Sequence, residues 1–188
     1  MKIACDIDGT LSNPDHRLHF IQPKGEHCSV CDSWGGNLPG ARVHDRDHTR
    51  TGSCIYAKKD WDGFYAACGD DPPIPHTVEL CRQLLGDSTL PYHLNTVEFW
   101  TGRNEDVRSV TEQWLVDHVG KDGTIRWPVH ECVLKMRSKG DRRRDHVLKM
   151  EFIDPLDPPD IIFEDRSTVV QAYRERGLTV FQVAEGDF

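Results

Sequence analysis

Asp6-Ile7-Asp8-Gly9-Thr10 follows directly on the short run Lys2 to Cys5. That run reads as a buried strand ending at Asp6, so two carboxylates and a glycine turn stand at its carboxyl end. A calcium loop would need a further acid or Asn before the glycine, and this stretch has none. A hairpin turn would need a partner strand at close spacing, and none follows.

Asn95 to Trp100 is a second strand candidate, ending at Thr101-Gly102-Arg103. Val129 to Leu134 is a third, and Ile161 to Phe163 and Thr179 to Val183 supply two more. Helical patterns lie between them at Ile74 to Leu85, Asn104 to Val119, Arg144 to Ile153 and Ser167 to Arg176. In the second of these Val107, Val110, Trp114 and Leu115 share one face, Asn104 is a natural N-cap, and Gly120 and Gly177 are natural C-caps. Strands alternating with helices predict an α/β sandwich around a mostly parallel sheet. In such sheets the active site gathers at the carboxyl ends of the strands. Asp6 and Asp8, Thr101 and Arg103, and Glu164 and Asp165 all fall there.

Hydrolysis of a phosphate monoester needs an anionic nucleophile, a proton donor for the leaving oxygen and cations facing the phosphoryl oxygens. Asp6 suits the nucleophile, forming an aspartyl-phosphate. Asp8, two residues on, suits the general acid and then the base for the hydrolytic water. Gly9 lets the backbone turn sharply past the phosphate, and Thr10 is expected to fix the loop. A carboxylate oxygen of Asp6, the main-chain carbonyl of Asp8 and Asp165 would hold magnesium. Thr101 is placed to bind a phosphate oxygen, and Lys149 is the candidate cation joining aspartate and phosphate. The joint order carries this reading, since Thr101-Gly102-Arg103 or Lys149 alone would pass for a turn or a solvated lysine.

The 188 residues suit one domain with decorations, 37% hydrophobic and 29% charged. A net charge of −8 argues against sequence-blind nucleic-acid binding over the whole surface, though not against one local basic groove. Nothing at the N-terminus has the h-region of a signal peptide, and no window approaches the roughly 18 apolar residues of a membrane span. Seven scattered cysteines, an odd number, read as reduced thiols of a cytoplasmic protein. No Walker-type glycine loop is present, so no kinase half is expected, and a separate kinase or ligase is a candidate partner.

The order DxDGT, TGR, a late Lys and an acidic pair after an apolar strand resembles the haloacid dehalogenase (HAD) superfamily of phosphatases, with its Rossmannoid three-layer sandwich. More closely, Met136-Arg137-Ser138-Lys139-Gly140-Asp141-Arg142-Arg143-Arg144-Asp145-His146-Val147-Leu148-Lys149 is similar to the Arg-x-x-Gly-Asp-x-Arg-x-Asp-x-x-x-Lys signature of the 3′-phosphatase domain of phage polynucleotide kinases. The ending Phe163-Glu164-Asp165-Arg166 through Phe188 is similar too. The resemblance implies Asp6 as nucleophile, Asp8 as general acid/base and Asp165 as magnesium ligand. It adds Thr101, Arg103, Asp145 and Lys149 to the phosphate-binding and supporting set, with Arg137 contacting substrate. It also implies removal of 3′-phosphate from polynucleotide ends, in nucleic-acid repair. Glu164 stands where the family usually has Asp, and no ligand role is assigned to it.

Lys135 to Arg144 holds six basic residues and one acid, either a solvated face or a groove for a sugar-phosphate backbone. Trp61, Phe64, Tyr65 and Cys68, at i, i+3, i+4 and i+7, read as a core stripe rather than a base-stacking platform.

Residues 23–57 break the pattern, being rich in Gly, Cys, His, Asp and Arg with little apolar periodicity, and read as an insertion or cap. Cys28, Cys31, His44, His48 and Cys54 could supply a structural zinc site. Cys28, Cys31, His48 and Cys54 are favoured because thiolates hold zinc strongly. Two other functions share these residues: a small-molecule phosphatase such as a nucleoside monophosphatase, and a zinc-bearing nucleic-acid-binding module on an inactive scaffold. Intact Asp6, Asp8, Thr101, Lys149 and Asp165 count against the last.

Overall fold

The computed structural model describes residues 1–21, 59–85, 95–120 and 132–186. The chain divides into two compact units, Met1–Pro14 with Cys68–Phe188, and Asp15–Ala67. The strands of the larger unit are β1 (Lys2–Asp6), β2 (Thr96–Asn104), β3 (Cys132–Arg137), β4 (Ile161–Arg166) and β5 (Val180–Gly186). The smaller unit contains α1 (Trp61–Ala66), and the larger contains α2 (Pro75–Leu85), α3 (Arg108–His118), α4 (Asp145–Glu151) and α5 (Ser167–Glu175).

The five strands form one sheet in the order β3-β2-β1-β4-β5, every neighbouring pair parallel. Parallel strands need both faces covered, so they read as near-continuous apolar runs. In β1, Ile3 and Cys5 pack with Val78 and Cys81 of α2 and Trp114 and Leu115 of α3. Ala4, pointing the other way, packs with Trp100 and Ile162 against Val169 and Tyr173 of α5. The alternation puts a helix layer on each face, which makes the three-layer α/β sandwich. Because the chain builds outward from β1 in one direction and then returns to add β4 and β5 on the other, the topological switch point lies between β1 and β4. Ligands of open α/β sheets bind at that point, beyond the strand ends.

β2 runs past the expected end at Trp100 to Asn104, taking Thr101-Gly102-Arg103 into the strand, and its register against β3 shifts between Trp100 and Asn104. Asn104 caps as expected, its side chain accepting from the Asp106 N–H at 3.1 Å, but the turn it caps is a 3-10 turn, Glu105–Val107, that leads into α3. On α3 the apolar face is rotated from the expected one: Val110 is exposed, and Thr111 lies inside beside Trp114 and Leu115. Thr111 is drawn inward because its hydroxyl meets Arg103 Nη1 at 3.4 Å. Gly177, at φ +80°, closes α5. Among the described residues no helix is long and apolar enough to cross a membrane.

Candidate active site

The carboxyl ends of β1, β2 and β4 bring Asp6, Thr101 and Asp165 together, as neighbouring parallel strands must when their registers align Asp6 with Trp100 and Cys5 with Phe163. The loop after β1 is tied by its main chain. The Gly9 N–H donates to Ser12 O, and the Leu11 and Ser12 N–H groups both donate to Ile7 O, each at 2.8 Å. Thr10 does this work differently from the sequence expectation. Its hydroxyl is buried without a hydrogen-bond partner among the described residues, while its carbonyl accepts from Thr77 Oγ1.

Lys149, on α4, is buried and donates from Nζ to Asp6 Oδ1 at 2.6 Å and to Glu164 Oε2 at 2.7 Å. Burial alone would lower its pKa, but Asp6 and Glu164 reverse that and raise it well above the ordinary 10.5, so the ammonium stays charged. One oxygen each from Asp6, Glu164 and Asp165 lies within 4.8 Å of the others, all three residues buried. Burial, then the charge of Glu164, pushes Asp6 well above the usual carboxylate range and Asp165 up to about 7. Three crowded acids against one lysine leave negative charge to be offset, and hard oxygen donors in this arrangement suit a divalent cation such as magnesium. Glu164, longer by one methylene than the expected Asp, reaches Lys149 and so competes with Asp6 for the ammonium.

Two glycines make room for Asp165. A Cβ at Gly9, which has φ +88°, or at Gly186 would collide with the Asp165 carboxylate. The carboxylate therefore sits in a slot that only side-chain-free residues can line.

Asp8 lies in a second polar cluster. Arg103, wholly buried, donates from Nε and Nη2 to its carboxylate at 2.7–3.1 Å, and Thr101 Oγ1 donates at 3.2 Å. Arg103 Nη2 also reaches Asp71 Oδ2 at 2.7 Å and Ser12 Oγ at 3.0 Å. A third cluster supports α4. Asp145, its first residue, accepts from Arg137 on one oxygen and Arg166 on the other, and lies close against Gly102. Arg137 is itself buried, with Nε on Gly102 O at 3.0 Å and Nη1 on Arg143 O at 2.7 Å. Its donors thus bind the protein's own acceptors, where the sequence suggested substrate contact.

Residues 58–188 match the family model described as the polynucleotide kinase PNKP phosphatase domain. The chain belongs to this family. It is a HAD-type phosphatase domain with the α/β sandwich expected of one. The match begins after Asp6 and Asp8, so those two positions rest on the motif and on the site geometry. Among solved structures, a chain from "Structure of the Pnkp1/Rnl/Hen1 RNA repair complex" superposes with TM-score 0.59 at 21% identity, over 100% of this chain and 43% of that one. A chain from "Structure of Pnkp1/Rnl/Hen1 complex" gives 0.58 at 22%, over 100% and 47%. At such identity these superpositions establish the fold, and the chain spans less than half the length of either neighbour.

The basic run changes meaning once its partners are seen. Lys135 pairs with Glu98 at 2.7 Å, Arg137 with Asp145, Lys139 with Asp106 at 2.9 Å, and Arg143 with Asp141 at 2.7 Å and with Glu151. Arg142 and Arg144 remain exposed with no ion pair among the described residues. Ser12 and Asp71 escaped the sequence reading, since a lone Ser or Asp carries no pattern, and Arg166 stood in the quoted ending without a role; Asp71 sits 63 positions after Asp8, and Arg103 and Ser12 both bridge the two. Cys28, Cys31, His44, His48 and Cys54 lie outside the described residues.

Proposed function

We propose that this chain removes 3′-phosphate groups from polynucleotide ends, with the phosphoryl group passing through Asp6. The observation that carries the reading is the Asp6–Lys149–Glu164–Asp165 constellation at the sheet's switch point, in a chain of the polynucleotide kinase phosphatase family. Asp6 attacks phosphorus as the bond to the leaving 3′-oxygen breaks, and Asp8 gives that oxygen its proton. Asp8 then takes a proton from a water that attacks the aspartyl-phosphate, freeing inorganic phosphate and restoring Asp6. For the first step the Asp8 carboxylate must leave the grip of Arg103 and take up a proton from solvent, so Arg103 and Thr101 fix where its charged form waits. Lys149 orients the Asp6 carboxyl and opposes the rise that burial and Glu164 impose on its pKa, and Asp145 fixes the start of the helix that presents Lys149. Asp6, the Asp8 carbonyl and Asp165 would hold magnesium, which when bound offsets charge on the phosphoryl oxygens.

The internal pairing of four of the six basic residues favours, as a second reading, a small phosphate monoester such as a nucleoside monophosphate. A separate kinase or ligase partner is part of the first reading, supported by the complexes in which the structural neighbours were solved. The first reading also includes a zinc clip on Cys28, Cys31, His48 and Cys54, an insertion acting as a cap, and a reducing cytoplasm. Phosphate release from a 3′-phosphorylated oligonucleotide, a 5′-phosphorylated one and free mononucleotides, with magnesium, tests the assignment. The 3′-phosphorylated oligonucleotide is the expected best substrate; release from mononucleotides alone would overturn it.

A further inference from the structure

We infer that the smaller unit carries a nucleobase-stacking platform centred on Trp61, which takes unpaired bases of the polynucleotide; this rests on the polynucleotide reading above. The stripe expected to be core divides in two. Phe64 turns inward, with the Arg17 guanidinium 4.1 Å from its ring centroid, whereas Trp61 remains 45% exposed. The Trp61 ring stacks on Tyr65, centroids 5.9 Å apart and planes at 29°, and meets Phe64 edge-on at 5.7 Å and 84°.

The turn that presents this pair is pinned. Asp60 caps α1, its Oδ1 accepting from the Gly63 N–H at 2.9 Å, and its own N–H donates to Phe20 O at 2.8 Å. An indole backed by a second ring on a fixed turn keeps apolar area in water at a cost, unless a flat partner covers it. Every base offers a π-face, and stacking on an exposed aromatic is the sequence-tolerant way a protein holds single strands. Lys59 Nζ, 5.6 Å from the Trp61 ring centroid, supplies one cation for the strand's charge. Asp60 is spent as the cap, but Asp62 is exposed, so the turn is poor at gripping phosphate and the recognition falls on the base.

The test uses the full chain and two 3′-phosphorylated oligonucleotides of equal length, one with bases and one with abasic residues in the positions before the 3′ end. KM is read for phosphate release, and Kd by anisotropy with labelled strands. Wild type should prefer the base-bearing strand by about tenfold in both, the low end of what one stacked base provides. Trp61→Ala should bring that ratio close to one, and Trp61→Phe, which keeps a ring, should retain most of it. A wild-type ratio of one, or a ratio that survives Trp61→Ala, overturns the platform, including the case in which Trp61 serves a protein partner instead. Wild type that releases phosphate from neither strand overturns the polynucleotide reading itself, so the two failures are distinct.

Discussion

Replacing Gly186 with Ala should cripple the site while leaving the fold intact. The methyl group would land on Asp165 Oδ2, with Asp165 Cγ at 2.8 Å and the Asp165 carbonyl carbon at 3.2 Å. The backbone at Gly186 is outside the left-handed region, which among the described glycines holds Gly9, Gly140 and Gly177, so the collision acts alone. Asp165 cannot swing away freely, because Gly9 lies close to the same carboxylate oxygen. The carboxylate must therefore move by on the order of 1 Å, a displacement that costs roughly 100-fold in rate when it misplaces a reacting group. That is about 2.7 kcal/mol of transition-state stabilisation. Crowding of this kind costs about 1–3 kcal/mol in stability, which a domain of this size can tolerate. The assay is kcat/KM on a 3′-phosphorylated oligonucleotide across a magnesium titration. The expected result is a fall of about two orders of magnitude with a higher half-saturating magnesium concentration. Gly177→Ala is the control: at φ +80° with nothing within 4 Å, it should lose about 1–2 kcal/mol of stability and keep the wild-type magnesium response. Gly186→Ala with wild-type rate and magnesium dependence would refute the slot.

Asp71→Asn removes a charge from buried Arg103 while Asp8, Ser12 and Thr111 still hold the guanidinium, so its cost should sit near the low end for a broken buried pair, about 3 kcal/mol. Calorimetry should show Tm lower by about 6–12 °C; a drop under about 2 °C would contradict the pairing. Glu98 is pushed up by burial, but hydrogen bonds from Lys135 and Trp100 outweigh this and hold it below its ordinary 4.5. Its stabilisation is therefore complete above that ordinary value and is lost as pH falls through the lower folded one, so urea unfolding of Glu98→Gln between about pH 5 and 3 should be flatter than wild type. With Arg142 and Arg144 the only unpaired cations of the run among the described residues, log affinity for a single strand should fall with log salt at a slope of about −1.4. A slope near −4 would mean that all six cations contact phosphate.

The sheet was legible because parallel strands carry both their faces in the sequence: Ile3 to Cys5 and Ile161 to Phe163 have no polar side to misplace. Strand ends were less so. β2 extends through Thr101-Gly102-Arg103 because Arg103 and Thr101 are held by Asp8, a long-range contact with no local signal. Thr111 took the inner place of α3 for the same reason, its hydroxyl satisfied by Arg103 where apolar periodicity favoured Val110. The nucleophile motif, Lys149 and Asp165 could be read together because phosphoryl chemistry dictates their types and order. Gly186 and Asp71 could not, since steric room and a buried counter-charge become visible only when distant segments meet. The basic run misled in the opposite sense: counted along the chain it looks like a groove, yet most of its charge is matched by Glu98, Asp106, Asp141, Asp145 and Glu151.

The measurement closest to the central claim is a rapid acid quench of the full chain mixed with an oligonucleotide carrying a radiolabelled 3′-phosphate, in magnesium. Label should appear on the protein as an acyl phosphate, mapping to the peptide that contains Asp6, and both this label and phosphate release should vanish in Asp6→Asn. Phosphate release that persists undiminished in Asp6→Asn would contradict the account.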